Sequence, residues 1–198
     1  MTATAALPLQ VAVLDACILF QGRLTDLLLH LAAAKAFEPI WPDNIHSEWM
    51  RTLHARMRIP IDKIEYRRGE MEKAFPAANV AATPTLVVAT QAMSKTAAQR
   101  KDAHVVAAAV IGKATIIVTH NIKDFGRQVL GHYGLSKVRP APFCVGLLVT
   151  HEMQVLAVHR ASLRRTPMSP TRYIDHLADD KLGMPRLAPA LAPHVGSI

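Results

Sequence analysis

The chain has 198 residues, of which 51% are hydrophobic and 19% charged, the size and balance of one globular domain with a small appendage. Its 23 Lys and Arg against 15 Asp and Glu give a net charge of +8, which favours a polyanionic partner. Two distant cysteines exclude a disulfide framework, and no apolar run reaches the ~20 residues of a membrane span, so we expect a reduced, cytoplasmic protein that binds no membrane. Because only 5% of residues are aromatic, the core is expected to be aliphatic.

The first half of the chain predicts one buried strand followed by helices. The run QVAVLD at residues 10–15 is apolar on both faces, which favours a central strand of a parallel sheet. Four leucines between residues 24 and 31 recur at helical spacing, and prolines limit residues 38–42 to a short extended piece. The predicted helices cover residues 21–37, 43–57, 60–75 and 85–93, with a loop at 76–84.

The second half predicts two more strands and then helices only. A helix at residues 101–111 is expected to end at Gly112, before a strand at 114–119. A turn at 121–125, a short helix at 127–130 and a strand at 135–138 follow, and later helices are predicted at 145–159 and 169–177. Alternating strands and helices imply an α/β fold with a mainly parallel central sheet and helices on both faces. We divide the chain into an α/β domain at 1–142 and a helical C-terminal extension at 143–198 packed on it.

Acidic side chains follow both buried strands. Asp15 ends the first, and the second runs into a polar turn that holds Asp124. Ligand sites of open parallel sheets lie beyond the carboxyl ends of the strands, and Asp102, which opens the preceding helix, can face the same end. Glu48 lies within a helix, away from its basic surface. Carboxylates gathered in this way repel one another unless a hard cation neutralises them, so the pattern favours a Mg²⁺ or Mn²⁺ site that activates water for attack on a phosphodiester.

Four segments carry a resemblance to a known family: VLDAC at 13–17, SEW at 47–49, DAHVVAAA at 102–109 and THNIKDF at 119–125. Across about residues 10–140 the chain resembles PIN-domain proteins, and most resembles the ribonuclease toxins of bacterial type II toxin–antitoxin (VapBC) modules. The resemblance implies a PIN-like three-layer sandwich. It also implies that the carboxylates that bind the metal and carry the catalysis are Asp15, Glu48, Asp102 and Asp124. Two further side chains, Thr119 and Asn121, are expected to support the site by hydrogen bonding.

Three positions depart from the family pattern. Cys17 stands where Asn or Ser is usual, which predicts weaker polar support for Asp15. Asn121 stands where many members carry Asp, and the basic run at residues 99–101 replaces acidic or proline-rich residues. No principal carboxylate is lost, so an active site is expected.

Each candidate residue also has a structural interpretation. Asp15 and Asp124 are alternatively structural acids, Glu48 a solvated helix residue and Asp102 a helix cap. Ligand or proton-transfer roles for the two histidines that flank the site, His104 and His120, are the minority interpretation. Arg51, Arg56 and Arg58 begin the densest basic stretch, which forms either an RNA-backbone surface or a solvated helical pair.

We therefore expect an endoribonuclease that hydrolyses RNA with Mg²⁺ or Mn²⁺. The family resemblance further implies a cognate antitoxin that inhibits it and a homodimer or higher oligomer. Two alternatives stay open: a housekeeping PIN nuclease without antitoxin, and a non-catalytic nucleic-acid-binding or scaffold protein on the same fold. Zinc-hydrolase, nucleotide-loop and nucleophile-elbow motifs are missing from the sequence, and the acidic pair of a receiver domain is not evident.

Overall fold

A single parallel sheet organises the molecule. The computed structural model describes residues 9–178 and 184–198. Within them the strands are β1 (Val11–Leu14), β2 (Glu38–Ile40), β3 (Ile116–Val118) and β4 (Ser136–Val138), all parallel, in the order β2-β1-β3-β4. The short extended piece at 38–42 is thus the edge strand β2, where Pro39 is tolerated because an edge strand needs fewer N–H donors. The predicted α/β fold with a parallel sheet is confirmed.

Helices cover the sheet in an arrangement compatible with a three-layer sandwich. In the first half of the chain they are α1 (Ala16–Leu19), α2 (Gly22–Ala33), α3 (Asp43–Met57), α4 (Ile61–Ala74) and α5 (Pro84–Met93). In the second half they are α6 (Ala97–Lys101), α7 (Ala103–Ile111), α8 (Arg127–His132), α9 (Pro140–Thr150), α10 (Glu152–Arg164), α11 (Pro170–Ala178) and α12 (Leu187–Leu191). Short 3₁₀ helices lie at Ile122–Asp124 and Ala192–Ser197.

Two predicted helices differ from the structure. The helix expected at 101–111 is α7 and begins two residues later, because Asp102 (φ −90°, ψ 9°) separates it from the short helix α6. The helix expected at 145–159 is interrupted at His151, where α9 and α10 meet with a bend of 118°. There the Thr150 hydroxyl donates to the Gly146 carbonyl and lies 2.8 Å from the His151 ring, so local side-chain bonds compete with helix continuation. The predicted boundary at 142/143 falls inside α9.

Two helices end on a lysine in the left-handed conformation. The helix predicted to reach residue 37 ends at Ala33, because Lys35 has φ 61° and the Ala36 N–H bonds to the Leu31 carbonyl. After α7 the left-handed residue is Lys113, at φ 55°, and not Gly112, which has φ −78°. The predicted helix end at Gly112 is therefore confirmed, and the residue that takes the left-handed conformation is the one after it.

The core is not purely aliphatic, contrary to the prediction. The largest fully buried side chains are Trp41, Trp49, Phe37 and Phe125. Aromatic residues are few, but each buries a large apolar area, so the chain places these four inside. Residues of α9 and α12, such as Leu147 and Leu191, belong to the same core as the sheet.

Within the described ranges, no single helix is long and apolar enough to cross a membrane. Helices α9 and α10 reach the required length and composition only as a pair bent by 118°.

Candidate active site

The candidate site lies where the sheet changes direction. Strand β1 has β2 on one side and β3 on the other, so successive connections leave it in opposite directions. In doubly wound sheets such a switch point opens a crevice at the carboxyl ends of the two central strands. Asp15 follows β1 directly and Thr119 follows β3 directly, which places both residues at this crevice.

Asp15 is held by three donors. The Ala16 N–H donates to its Oδ1 (2.7 Å), while the Thr119 hydroxyl (2.6 Å) and the Cys17 thiol (3.1 Å) donate to its Oδ2. The residue is only 7% exposed. A buried carboxylate that accepts several hydrogen bonds is fixed in orientation.

The residues around Asp15 also bond to one another. The His120 N–H donates to Cys17 Sγ (3.3 Å), and the Asn121 N–H donates to Thr119 Oγ1 (2.8 Å). Thr119 thus supports Asp15 directly, whereas Asn121 acts through its backbone. Burial, reinforced by the Asp15 charge, raises the pKa of Cys17 to about 12, so the thiol stays protonated and can donate. Cys17 is a supporting residue that the sequence argument undervalued; its position two residues after Asp15 was the available signal.

The other three carboxylates line the same cleft as Asp15, with a volume of about 620 Å³. Asp102 lies at the break between α6 and α7, and Asp124 lies in the 3₁₀ helix after β3. Glu48 comes from α3 and lines the cleft together with Thr52 and Arg56. Residues four apart lie on one face of a helix, which is why α3 presents all three to the cleft.

The carboxylates interact electrostatically. Burial raises the pKa of Asp102 to about 6, and the negative charges of Asp15, Asp124 and Glu48 add to the effect, while Lys101 opposes it. The Asp102 side chain makes no capping hydrogen bond to α7. Asp102 is therefore not simply a helix cap. Its carboxylate and the other three acids form one negatively charged cluster.

Glu48 has two basic neighbours. Lys101 Nζ lies 3.9 Å from its Oε2, and His104 Nε2 lies 3.9 Å from its Oε1. With a side chain 26% exposed, Glu48 is not the freely solvated helix residue of the alternative interpretation. Like Cys17, Lys101 was not predicted to belong to the site, since the sequence showed it only as part of a basic run that departs from the family pattern.

The chemistry of the four side chains suits Mg²⁺ or Mn²⁺, which prefer carboxylate oxygens. In the described part of the chain, no three His, Cys, Asp or Glu side chains are arranged to hold a metal ion as they stand. Mg²⁺ is commonly bound by one or two carboxylates and several waters, so a binding mode with few direct ligands agrees with this finding. The carboxylate oxygens are therefore suitable ligands for such a cation, and the negative charge of the cluster attracts it.

The three candidate RNA-binding arginines do not act as a group. Arg56 lines the cleft, whereas Arg51 and Arg58 are exposed and lie outside its lining. His120 also lines it.

Comparison of the chain with protein-family models, with curated proteins and with solved structures found no match. The assignment to PIN domains therefore stays a prediction from the four sequence motifs.

Proposed function

We propose that this protein is a metal-dependent endoribonuclease with a PIN-like three-layer fold. The observation that carries the proposal is the meeting of Asp15, Glu48, Asp102 and Asp124 in one cleft at the carboxyl ends of β1 and β3. The net charge of +8 supports a polyanionic substrate, since it attracts a phosphodiester backbone to the protein.

The four carboxylates would hold the cation, Mg²⁺ or Mn²⁺, one or two of them directly and the others through its waters. When bound, it supplies a water of lowered pKa and an electrophile for a phosphoryl oxygen. Asp15 keeps one orientation because Thr119, Cys17 and the backbone hold it. Arg56 and Lys101, which line the same cleft, attract the phosphates that the acids would repel.

A protein partner is part of the proposal: a cognate antitoxin that blocks the cleft, and a homodimer. Both come from the resemblance, and exposed apolar side chains beside the cleft helix support a protein contact. Met57 at the end of α3 is 60% exposed, and Ile61 and Tyr66 on α4 are 48% and 70% exposed. A small DNA-binding protein encoded next to this gene is expected to co-purify with the chain and inhibit it; a housekeeping nuclease would act without one.

The test is cleavage of a cellular RNA pool by the purified protein with Mn²⁺ or Mg²⁺ and with EDTA. We expect cutting by the wild type only with the metal, and none by Asp102→Asn. The variant is expected to fold, because it removes a carboxylate whose charged form is disfavoured by burial and by three other acids. Arg172→Gln, at an exposed position of α11, is the matched control that should cut normally.

A second candidate is a non-catalytic nucleic-acid-binding protein, and the observation that favours it is the missing three-residue metal cluster in the described residues. Calorimetric titration with Mn²⁺ separates the two. Binding that Asp102→Asn weakens supports the nuclease. RNA binding without any Mn²⁺ binding or cleavage supports the second candidate and contradicts the first.

A further inference from the structure

A second cavity adjoins the acidic cleft. It has a volume of about 510 Å³ and lies beyond the carboxyl end of β4, where Lys137 and Arg139 meet Arg186 from the C-terminal segment. His120 lines both cavities, so they share a wall. Among the described residues that line this second cavity there is no Asp or Glu. Its lining is therefore cationic, in contrast to its neighbour.

The two arginines are available to a ligand. Both are exposed, and neither side chain has a hydrogen bond or ion pair within residues 9–178 and 184–198. Lys137 differs, because its Nζ donates to the carbonyls of Ile122 and Phe125 and so fixes the turn that carries Asp124. The charges left for an anion are the guanidiniums of Arg139 and Arg186.

A buried polar atom lies at the shared wall. His120 Nε2 is buried and has no hydrogen-bond partner among the described residues. Buried polar atoms are nearly always paired, so an unpaired one beside two cavities indicates a missing partner. Arg139 is close enough to His120 to lower the histidine pKa, after burial, which is the larger cause.

We infer that this cavity binds a backbone phosphate of the RNA strand beside the phosphate in the acidic cleft. Guanidinium groups suit phosphate because they donate two parallel hydrogen bonds, and their charge does not titrate. A strand that crosses four carboxylates needs positive charge on its flank, and this cavity supplies it next to the cleft. The inference deepens the proposed nuclease function and rests on it for the identity of the strand. It gives the C-terminal extension a role, since Arg186 belongs to it.

The experiment measures binding separately from cleavage. A fluorescent single-stranded RNA oligonucleotide is titrated in EDTA with the full-length wild type, with Arg139→Gln/Arg186→Gln and with the control Arg172→Gln, at several salt concentrations. We expect the double variant to bind about tenfold more weakly and the slope of log K against log salt to shrink by about 1. With Mn²⁺, the RNA concentration that gives half-maximal cleavage should rise about tenfold in the double variant, in step with its loss of affinity.

Each outcome separates this inference from the proposed function. If the double variant binds RNA as the wild type does while the wild type cuts RNA, the inference is overturned and the nuclease stands. If the wild type never cuts but the double variant loses affinity and salt dependence, the cavity stands and the nuclease falls. A parallel titration with AMP detects free nucleotides: AMP binding lost in the double variant, with RNA affinity unchanged, also overturns the inference.

Discussion

At the scale of single residues, the hydrogen bond between Thr119 and Asp15 joins the two central strands through their side chains. It is 2.6 Å long and involves a carboxylate only 7% exposed. Hydrogen bonds to a charged acceptor contribute more to folding stability than neutral ones do. A buried acceptor that loses its donor destabilises the fold, because it has lost its contact with water and gains no hydrogen bond in return. The Thr119 hydroxyl therefore matters for folding as well as for the orientation of Asp15.

Thr119→Val keeps the shape of the side chain and removes the donor. We expect the free energy of unfolding to fall by about 1–3 kcal/mol, measured by urea denaturation. Thr119→Ser, which retains the hydroxyl, is the control and should stay within about 1 kcal/mol of the wild type. Equal losses in the two variants would show that the methyl group matters and the hydrogen bond does not.

At the scale of elements, the end of α7 shows how a glycine and a left-handed residue can be separate requirements. A Cβ on Gly112 would lie 2.4 Å from Ile40 Cδ1 of β2 and 3.2 Å from the Ala108 carbonyl oxygen. A side chain at position 112 would therefore have to displace the terminal methyl group of buried Ile40. The left-handed conformation falls instead on Lys113, where a side chain is disfavoured.

The two positions should respond in opposite ways. Gly112→Ala is expected to lower the free energy of unfolding by about 1–3 kcal/mol, because buried Ile40 must move. Lys113→Gly is expected to raise it by about 1 kcal/mol, since the relief of left-handed strain exceeds the extra chain entropy of glycine. Thermal denaturation of both variants and of the control Lys113→Ala measures this. A stabilised Gly112→Ala would contradict the packing argument.

The strands and helices also show how much of the fold can be predicted from the sequence. The strands around β1 and β3 and most helices follow from apolar runs and helical periodicity, which record burial directly. The break at His151 does not, because apolar residues continue on both sides of it and the interruption comes from local side-chain hydrogen bonds. The short helix before Asp102 does not either, because its residues show no apolar periodicity. For the site, strand ends and helix starts point to the acids. Cys17 lies two residues from Asp15 and could be inferred from that position, but Lys101 and Arg186 meet residues of distant segments, which no local pattern records.

At the scale of the whole molecule, two fully buried histidines make stability depend on pH. Burial, with Arg68 nearby, lowers the pKa of His46 to about 4, although Glu72 and Asp43 oppose the shift, and burial alone lowers that of His159 to about 4. His46 Nδ1 accepts a hydrogen bond from Trp49 Nε1 (3.1 Å), and protonation would abolish that acceptor.

Between pH 6.5 and 4 the unfolded chain binds protons at these histidines and the folded chain does not, so stability falls as the pH falls. We expect a loss of about 2 kcal/mol per histidine between pH 7 and pH 5, measured by urea denaturation at each pH. His46→Gln, which can still accept the Trp49 bond, should show a shallower pH dependence than the wild type. Identical slopes would contradict a neutral His46 in the folded state.

The strand order also has a consequence for folding during synthesis on the ribosome. Strand β1 can pair with β2 early, because Val11 and Glu38 are close in sequence, but Asp15 and Thr119 are separated by 104 positions. Pairing over such distances forms late, after the intervening chain has been made. A nascent chain that has not yet reached Thr119 and Asp124 holds Asp15 with its local donors Ala16 and Cys17 only. Any activity of the cleft therefore begins only when synthesis has passed the middle of the chain and the third strand has joined the first.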